Sequence, residues 1–239
     1  MADLSFDVVP MQLADALYNA VVLSEDSGGK PGCPHVMICY QAAPNATVGV
    51  VVVYGASRLI AGRTSTLLDT RAPNGYATVV IHRDKANEIQ SALRGFGRAK
   101  TSRVGVRISE EGYETVTFTE DGEPEVSVVN LCISKGSEEP LAELSDSDPE
   151  GLFQRHFDIV DQYLIESGDP LQGPCLLSFE AIKRVTALKG LGSTTLDFAR
   201  TARPGILALG SGARFRGILG ELDRDVYMAQ GGRDGHLLD

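Results

Sequence analysis

One structural pattern occurs twice along this chain. In each copy a short apolar strand precedes a helix of roughly three turns, the helix closes on Ala-Leu-(Arg/Lys)-Gly, and short strands follow. The first copy starts with YATVVIHRDKANEIQSALRG at residues 76–95, and the second starts with GPCLLSFEAIKRVTALKG at residues 173–190. An alignment that places Arg94 over Lys189 also matches alanine with alanine at two positions, Ala86 with Ala181 and Ala92 with Ala187. Such a repeat predicts a modular fold in which copies of one unit pack side by side.

The length and composition place the chain among ordinary globular proteins. Its 239 residues suffice for one large domain or two smaller ones, with 43% hydrophobic and 23% charged residues. No apolar run approaches the length of about 20 residues that a membrane-spanning helix needs. The first residues, MADLSFDVVPMQ, lack the basic and apolar regions of a signal peptide. The sequence therefore predicts a soluble, cytoplasmic protein.

The four cysteines give little sign of a metal site. They are widely spread, at Cys33, Cys39, Cys132 and Cys175. Cys33 and Cys39 lie near His35 and form a conceivable ligand cluster, but no second ligand pair exists in the sequence. Buried or incidental thiols are the favoured interpretation, and disulfides are not expected in a reducing compartment. We predict neither a metal nor a cofactor.

The charge of the chain is negative overall but unevenly distributed. A net charge of -10 argues against a protein that coats nucleic acid with its whole surface. Residues 83–107 nevertheless hold seven Lys or Arg and two acids, and residues 183–203 hold five and one. Residues 138–150 carry six acids and no base. Local basic surfaces can attract phosphates while the acidic remainder repels them, although solvated helix faces are the simpler alternative for either cluster alone.

The first 133 residues are predicted to contain two successive β-α-βββ units. Pro10 suits the first position of a helix that continues to about Leu23. In the second unit Asp84 is the predicted N-cap, and Gly95 is the predicted end of the helix. Strands are predicted around the first helix at residues 4–9, 35–41, 47–54 and 58–63. The predicted fold class is α+β, with repeated β-α-βββ units whose helices lie on one face of antiparallel sheets.

The remaining sequence predicts a linker, a shorter second domain and a tail. Residues 134–150 are acidic and interrupted by proline, as is typical of a linker. The second copy of the repeat lies within residues 151–225, which we predict to form a second, shortened domain. Residues 226–239 are rich in glycine and are predicted to be a flexible tail.

Motifs for chemistry are absent from the sequence. It contains no GxxxxGK[ST] phosphate loop, no strand-GxGxxG-helix and no GxSxG elbow. The four histidines have no obvious serine or cysteine partner. We therefore predict that the protein is not an enzyme, while an enzyme with an unrecognised site stays open as a lesser alternative.

The segment VVVYGASRLIAG, residues 51–62, resembles a signature of bacterial beta-type sliding clamps. In that family a Thr-Asp-Gly-x-Arg-Leu run follows an apolar strand. Arg58 and Leu59 match the Arg-Leu, Ala56 stands where the family has Gly, and Tyr54-Gly55 replace Thr-Asp. The surroundings are also similar, because a helix precedes this segment and a strand followed by a basic helix comes after it.

Two later segments extend the resemblance. FQRHFDIVDQYL, residues 153–164, looks like the family's Gly-x-Phe-Pro-Asp-Tyr segment, and RFRGILGEL, residues 214–222, falls where a clamp ends in Met-Pro-x-Arg-Leu. Of that last motif only Leu222 matches. A clamp subunit of this family has three domains, so the chain fits a short, divergent clamp, and a phage is one origin that would fit. A clamp-like protein that no longer closes a ring would fit as well.

The resemblance implies a processivity factor that encircles duplex DNA and tethers a replicative polymerase. It implies DNA binding without sequence preference, and capture of polymerase and clamp-loader peptides in a pocket. Because family rings contain six domains, two domains imply a homotrimer. The residues implied to face DNA are Arg83, Lys85, Arg94, Arg98, Lys100, Arg103, Lys183, Arg184 and Lys189. Those implied to line the pocket, with ordinary strand core as the alternative, are Arg58, Leu59, Ile60, Ile218 and Leu219. The competing interpretation is a clamp-like α+β scaffold or regulatory binding protein without a closed ring.

Overall fold

A computed structural model describes residues 4–24, 34–42, 48–57, 60–68, 75–98, 104–108, 169–170, 175–201, 204–223 and 225. Within these ranges three helices accompany ten strands. The helices are α1 (Pro10–Leu23), α2 (Arg83–Arg98) and α3 (Phe179–Thr186). The strands are β1 (Leu4–Val8), β2 (His35–Ala42), β3 (Val50–Ala56), β4 (Ile60–Leu67), β5 (Gly75–His82), β6 (Val104–Ile108), β7 (Asp169–Pro170), β8 (Asp197–Arg200), β9 (Ile206–Ser211) and β10 (Phe215–Gly220).

Helix α1 begins at a proline and packs very closely on the sheet. Pro10 occupies the start of the helix, where its missing N–H costs nothing. The buried side of the helix is rich in alanine, which lets the backbone approach β3. At Gly55 a Cβ atom would collide with the carbonyl group of Ala20, so this strand position requires glycine. The helix ends at Leu23, and the Ser24 N–H still donates to the Ala20 carbonyl at 2.9 Å.

Helix α2 is longer than the sequence predicts. It begins at Arg83, so Asp84 lies in its first turn, and it continues through Gly95 to Arg98. The prediction that Gly95 ends the helix was wrong. One further turn lets Phe96 pack against the core cluster. The free energy gained by burying this apolar surface offsets the entropic cost of ordering a glycine in a helix.

The core lies between the two long helices and the first strands. Helix α1 packs against α2, and both lie over strands of the sheet. Their buried side chains meet β2, β3 and β5 in one cluster that includes Leu17, Tyr40, Val53, Ile81 and Leu93. Alternation along each strand points every second residue into this cluster.

Eight strands form one antiparallel sheet in the order β5-β2-β3-β4-β10-β9-β8-β7. The central pair joins distant parts of the chain, since β4 pairs with β10 in a register that sets Ile60 opposite Leu219 and Thr64 opposite Phe215. A separate pair joins β1 to β6. The predicted α+β class with antiparallel sheets is therefore confirmed.

A second core cluster supports the β4–β10 junction. It combines Ile60 and Leu219 with Val185 of α3 and with Phe215. The helix α3 therefore covers the C-terminal half of the sheet, as α1 covers the N-terminal half.

Several predictions lie outside the described residues. They are the linker at 134–150, the segment at 153–164 that resembles a clamp motif, and the tail at 226–239. The division into domains at 1–133 and 151–225 stays a prediction. None of the helices in the described ranges is long and apolar enough to cross a membrane.

Candidate functional site

Basic residues from both copies of the repeat meet at one aromatic ring. The Arg94 guanidinium carbon of α2 lies 5.3 Å from the centre of the Tyr18 ring on α1. The Lys189 ammonium, which follows α3, lies 4.3 Å from the same centre. Both distances fall within the range of a cation–π contact. The structure therefore brings together two of the predicted DNA-facing residues, the same two that the repeat alignment superimposes.

The backbone of Lys189 is fixed by a buried asparagine. Asn19 is 0% exposed, its Nδ2 donates to the Lys189 carbonyl at 2.9 Å, and its Oδ1 accepts from the Lys189 N–H at 2.8 Å. The same amide also donates to Thr64 Oγ1 of β4 at 3.2 Å. Asn19 directly follows Tyr18 on α1, so its hydrogen bonds to the Lys189 backbone place the lysine side chain next to the Tyr18 ring.

One carboxylate lies among these cations. Asp15 Oδ1 is 3.8 Å from Arg94 Nη2, and both side chains are partly exposed. Asp15 also fills the space beside Gly190, where a Cβ would collide with its carboxylate. With its φ of +62°, Gly190 adopts a left-handed conformation that favours glycine. The buried Gln90 completes the set, because its amide oxygen, in the orientation that satisfies its neighbours, accepts from Arg94 Nε and Nη2 at 3.1 Å each.

Arg184 was predicted to face DNA, but its guanidinium is turned toward the end of α1 instead. Its Nη1 donates to the carbonyl groups at the end of α1, those of Val22 and Leu23 at 3.3 Å and that of Ser24 at 2.8 Å. Its Nε donates to Glu180 at 3.2 Å. A cation at the C-terminus of a helix satisfies carbonyl groups that have no partner within the helix. This guanidinium therefore ties α3 to α1.

Arg214, the residue before β10, makes polar contacts with β4, α1 and Gly190. It donates to the carbonyl groups of Gln12 at 3.3 Å, Ser65 at 3.2 Å and Gly190 at 2.6 Å, and to the Thr66 hydroxyl at 3.2 Å. Burial lowers the pKa of Arg214, and the negative charge of Asp15 opposes this effect. The guanidinium nevertheless stays charged at any physiological pH.

The other predicted DNA-facing residues are dispersed. Lys85 pairs with Glu88 at 2.8 Å on α2, and Lys183 is exposed on α3. Arg83 starts α2, where its N–H donates to the Pro34 carbonyl at 2.8 Å. The Arg98 side chain, Lys100 and Arg103 lie outside the described residues.

The predicted pocket residues divide between the two faces of the sheet. Ile60 and Leu219 are 2% and 0% exposed and belong to the core cluster beneath α3. Ile218 points to the opposite face, where it is half-buried against a cluster that includes Met37 and Tyr54. Arg58 and Leu59 lie outside the described residues. Of the predicted walls, Ile218 is therefore the described side chain that a ligand has room to contact.

Two exposed apolar features were not anticipated from the sequence. Phe179 is 81% exposed at the start of α3, two residues after Leu177, which bridges to Glu221 at the end of β10. A groove of about 250 Å³ lies near the start of α1 and is lined by Asp7, Val8, Val9, Gln12, Val48, Leu67 and Leu68. The sequence predicts neither feature. A single apolar residue such as Phe179 does not reveal its own exposure, and a groove depends on how separate segments pack.

The described residues offer no metal site. Among them, no group of three or more His, Cys, Asp or Glu side chains is placed to hold a metal ion. Cys33 of the conceivable ligand cluster lies outside the described ranges, and Cys39 is buried in the sheet.

Comparison with known proteins identifies the fold. No protein-family model and no curated protein matches the sequence. Among solved structures, a ligand-bound DNA polymerase sliding clamp from Pseudomonas aeruginosa superposes with a TM-score of 0.54 at 11% identity, over 92% of this chain and 66% of that one. The beta subunit of DNA polymerase from Streptococcus pyogenes gives 0.53 at 10% identity, over 92% and 64%. The pol III beta of Caulobacter crescentus gives 0.51 at 12% identity, over 92% and 65%.

These likenesses show that the chain has the sliding-clamp fold. The identities are too low to show more than the fold. The chain also spans slightly less than two thirds of the length of the clamps that it matches.

Proposed function

We propose that this protein is a short sliding clamp, a processivity factor that encircles duplex DNA and tethers a polymerase. One observation carries the proposal. A single antiparallel sheet runs from β5 through the β4–β10 junction to β7, and cations from both repeat copies lie at that junction around Tyr18. A ring made of such units would present the same kind of junction to DNA at each repeat.

In this proposal the basic residues hold DNA without reading it. Lysine and arginine side chains attract phosphates of any sequence, so they position the protein on the duplex without specifying a site. Arg94, Lys183 and Lys189 are the described residues best placed for this role. Arg184 is left out, because its guanidinium is occupied by the carbonyl groups that end α1.

The chemistry of a clamp is binding alone. Nothing in the proposed role requires a bond to be made or broken, in keeping with a sequence that lacks catalytic motifs. Long side chains that contact phosphates directly or through water would keep the barrier to sliding low.

The proposed partner site lies at the outer side of β10. Ile218 supplies one apolar contact, and Arg58 and Leu59 are proposed to complete the wall on the strength of their resemblance to the clamp signature. A polymerase or loader peptide would insert one or two large apolar side chains there.

A clamp-like scaffold without a closed ring is the second candidate. The observation that favours it is the low identity of 10–12% to the clamps it matches, which extends to the fold but not to ring closure. Ring closure then depends on how many copies assemble.

We expect the protein to be a homotrimer in solution. The proposed two-domain chain needs three copies to reach six domains, and each copy would add to its neighbour through strand edges, which are hazardous when unpaired. Sedimentation equilibrium at micromolar concentration should give three times the chain mass of 25.5 kDa. A monomer at all concentrations would favour the scaffold.

Replacing Ile218 with aspartate should abolish capture of a polymerase peptide while the assembly persists. A buried apolar anchor in an interface typically contributes about 2 kcal/mol or more, and a carboxylate would have to be desolvated there. The measurement is fluorescence anisotropy with a labelled peptide that carries the clamp-binding motif of a bacterial polymerase.

Ile218→Ala is the milder companion, since it removes the anchor without burying a charge. If both variants fold and bind the peptide normally, the pocket is not at β10, and the groove beside Leu67 becomes the next candidate. If both unfold, Ile218 is core and the assignment falls.

A further inference from the structure

We infer that Tyr18 and Asp15 set the strength of the DNA contact. Tyr18 gathers Arg94 and Lys189 into one pair that binds neighbouring phosphodiesters of duplex DNA, and Asp15 limits how tightly the pair binds. This inference rests on the proposed function, because it requires duplex DNA to pass this face.

The two cations are held in place before any ligand arrives. Lys189 is fixed at its backbone by the two hydrogen bonds of Asn19, and its ammonium lies 4.3 Å from the Tyr18 ring centre. Arg94 extends from α2 and lies 5.3 Å from the same centre. Neither long side chain needs to lose as much rotamer freedom on binding as a freely moving one would.

The pair occupies a space that suits a polyanion. Since both charges lie close to one ring, they are separated by no more than about 10 Å, the sum of their two distances to its centre. Both residues keep contact with solvent, because Lys189 is exposed and Arg94 is partly exposed. Cations stacked on an aromatic face can still donate hydrogen bonds at their edges, which leaves them able to contact phosphate oxygens.

Asp15 competes with phosphate for the same guanidinium. Its carboxylate is 3.8 Å from Arg94, on the same side of α1 as Tyr18 and one helical turn before it. The negative charge of Asp15 also acts on Arg214, whose pKa it raises against the effect of burial. A phosphodiester that binds Arg94 must share it with this anion, and its attraction is reduced accordingly.

This arrangement fits a protein that has to move along its ligand. A site with two preorganised cations and no competing anion would bind one register of phosphates tightly and slow the transfer to the next. An anion built into the site lowers the cost of leaving each register. Tyr18 is therefore a positioning residue, and Asp15 is an attenuator of the contact.

The test compares Tyr18→Leu, Tyr18→Phe and Asp15→Asn with the unaltered full-length protein. Binding to a labelled 30-base-pair duplex of random sequence is measured by anisotropy over a series of salt concentrations. Tyr18→Leu should bind about three- to tenfold more weakly and give a slope of log K against log salt that is shallower by up to about 0.9. Tyr18→Phe keeps the aromatic ring and should therefore retain most of the affinity that Tyr18→Leu loses.

Asp15→Asn should bind about three- to tenfold more tightly, with a steeper salt dependence, because Arg94 loses the carboxylate that competes with phosphate. A thermal unfolding curve for each variant separates a loss of folding from a loss of binding. If Tyr18→Leu unfolds, Asp15→Asn still decides the question, because unchanged affinity and salt slope in that variant would overturn the inference.

Two results would overturn the inference in different ways. If the unaltered protein binds the duplex but Asp15→Asn and Tyr18→Leu match it in affinity and in salt slope, the cation pair is not the contact and the proposed function survives. If the unaltered protein does not bind the duplex at low salt, the proposed function fails and the inference falls with it.

Discussion

Reversing the charge of Arg94, Lys183 and Lys189 together, each to glutamate, is expected to weaken duplex binding by roughly a hundredfold at about 0.1 M salt. Each phosphate contact that is lost removes about one released counterion, so the slope of log K against log salt should become shallower by about 0.9 per contact. Reversal rather than removal enlarges the effect, because a glutamate repels the phosphate that the cation attracted. Anisotropy with a labelled duplex at several salt concentrations gives both quantities.

The matched control reverses Lys135, Arg224 and Arg233, which lie in the predicted linker, at the end of the predicted second domain and in the tail. This variant changes the net charge of the protein by the same amount. We expect its affinity to change only severalfold, through the long-range field of the added charge. If both triple variants lose affinity equally, overall charge governs binding and the helices around Tyr18 are not the DNA face.

The likeness between the two repeat copies predicted more of this site than any single motif did. It superimposes Arg94 on Lys189, and the structure places both at one ring. The likeness could not predict that the Tyr18 side chain is the group at which the two cations meet. Asn19 and Lys189 are separated by 170 residues in sequence, and nothing in an alanine-rich helix marks two of its residues as partners of a distant turn. Such contacts depend on the tertiary approach of α1 to the segment after α3.

The function of Arg184 illustrates the same limit. Its position on a basic amphipathic helix predicts a solvated cation, because sequence periodicity reveals a polar face but not what lies opposite that face. The end of α1 lies there, with carbonyl groups that require donors. A local demand for hydrogen bonds therefore outweighs the exposure that the pattern favours.

The predicted peptide-binding pocket depends on the register of strand β10. The sequence marks β10 as apolar but does not say which alternate residues face the helix, and a shift of one residue exchanges the two faces. Pairing with β4 fixes the register, which sends Leu219 into the core under α3 and Ile218 to the other face. The α+β class and the antiparallel pairing, by contrast, followed from short apolar runs separated by turns, which depend on local sequence.

Whether the protein encircles DNA is tested most directly by its retention on circular and linear molecules. The unaltered protein is incubated at high concentration with a nicked plasmid, and free protein is removed by gel filtration at about 0.5 M salt, where electrostatic contacts to phosphates are largely screened. Half of the complex is then cut once with a restriction enzyme, and both halves are filtered again.

A topological link does not depend on salt, whereas a phosphate contact does. The proposed function predicts that the protein stays with the uncut circle through the second filtration and is released from the linear molecule, because a ring slides off a free end. Equal release from circular and linear DNA, with retention that falls steeply as salt rises, would contradict a closed ring and leave a DNA-binding or scaffold protein with the clamp fold.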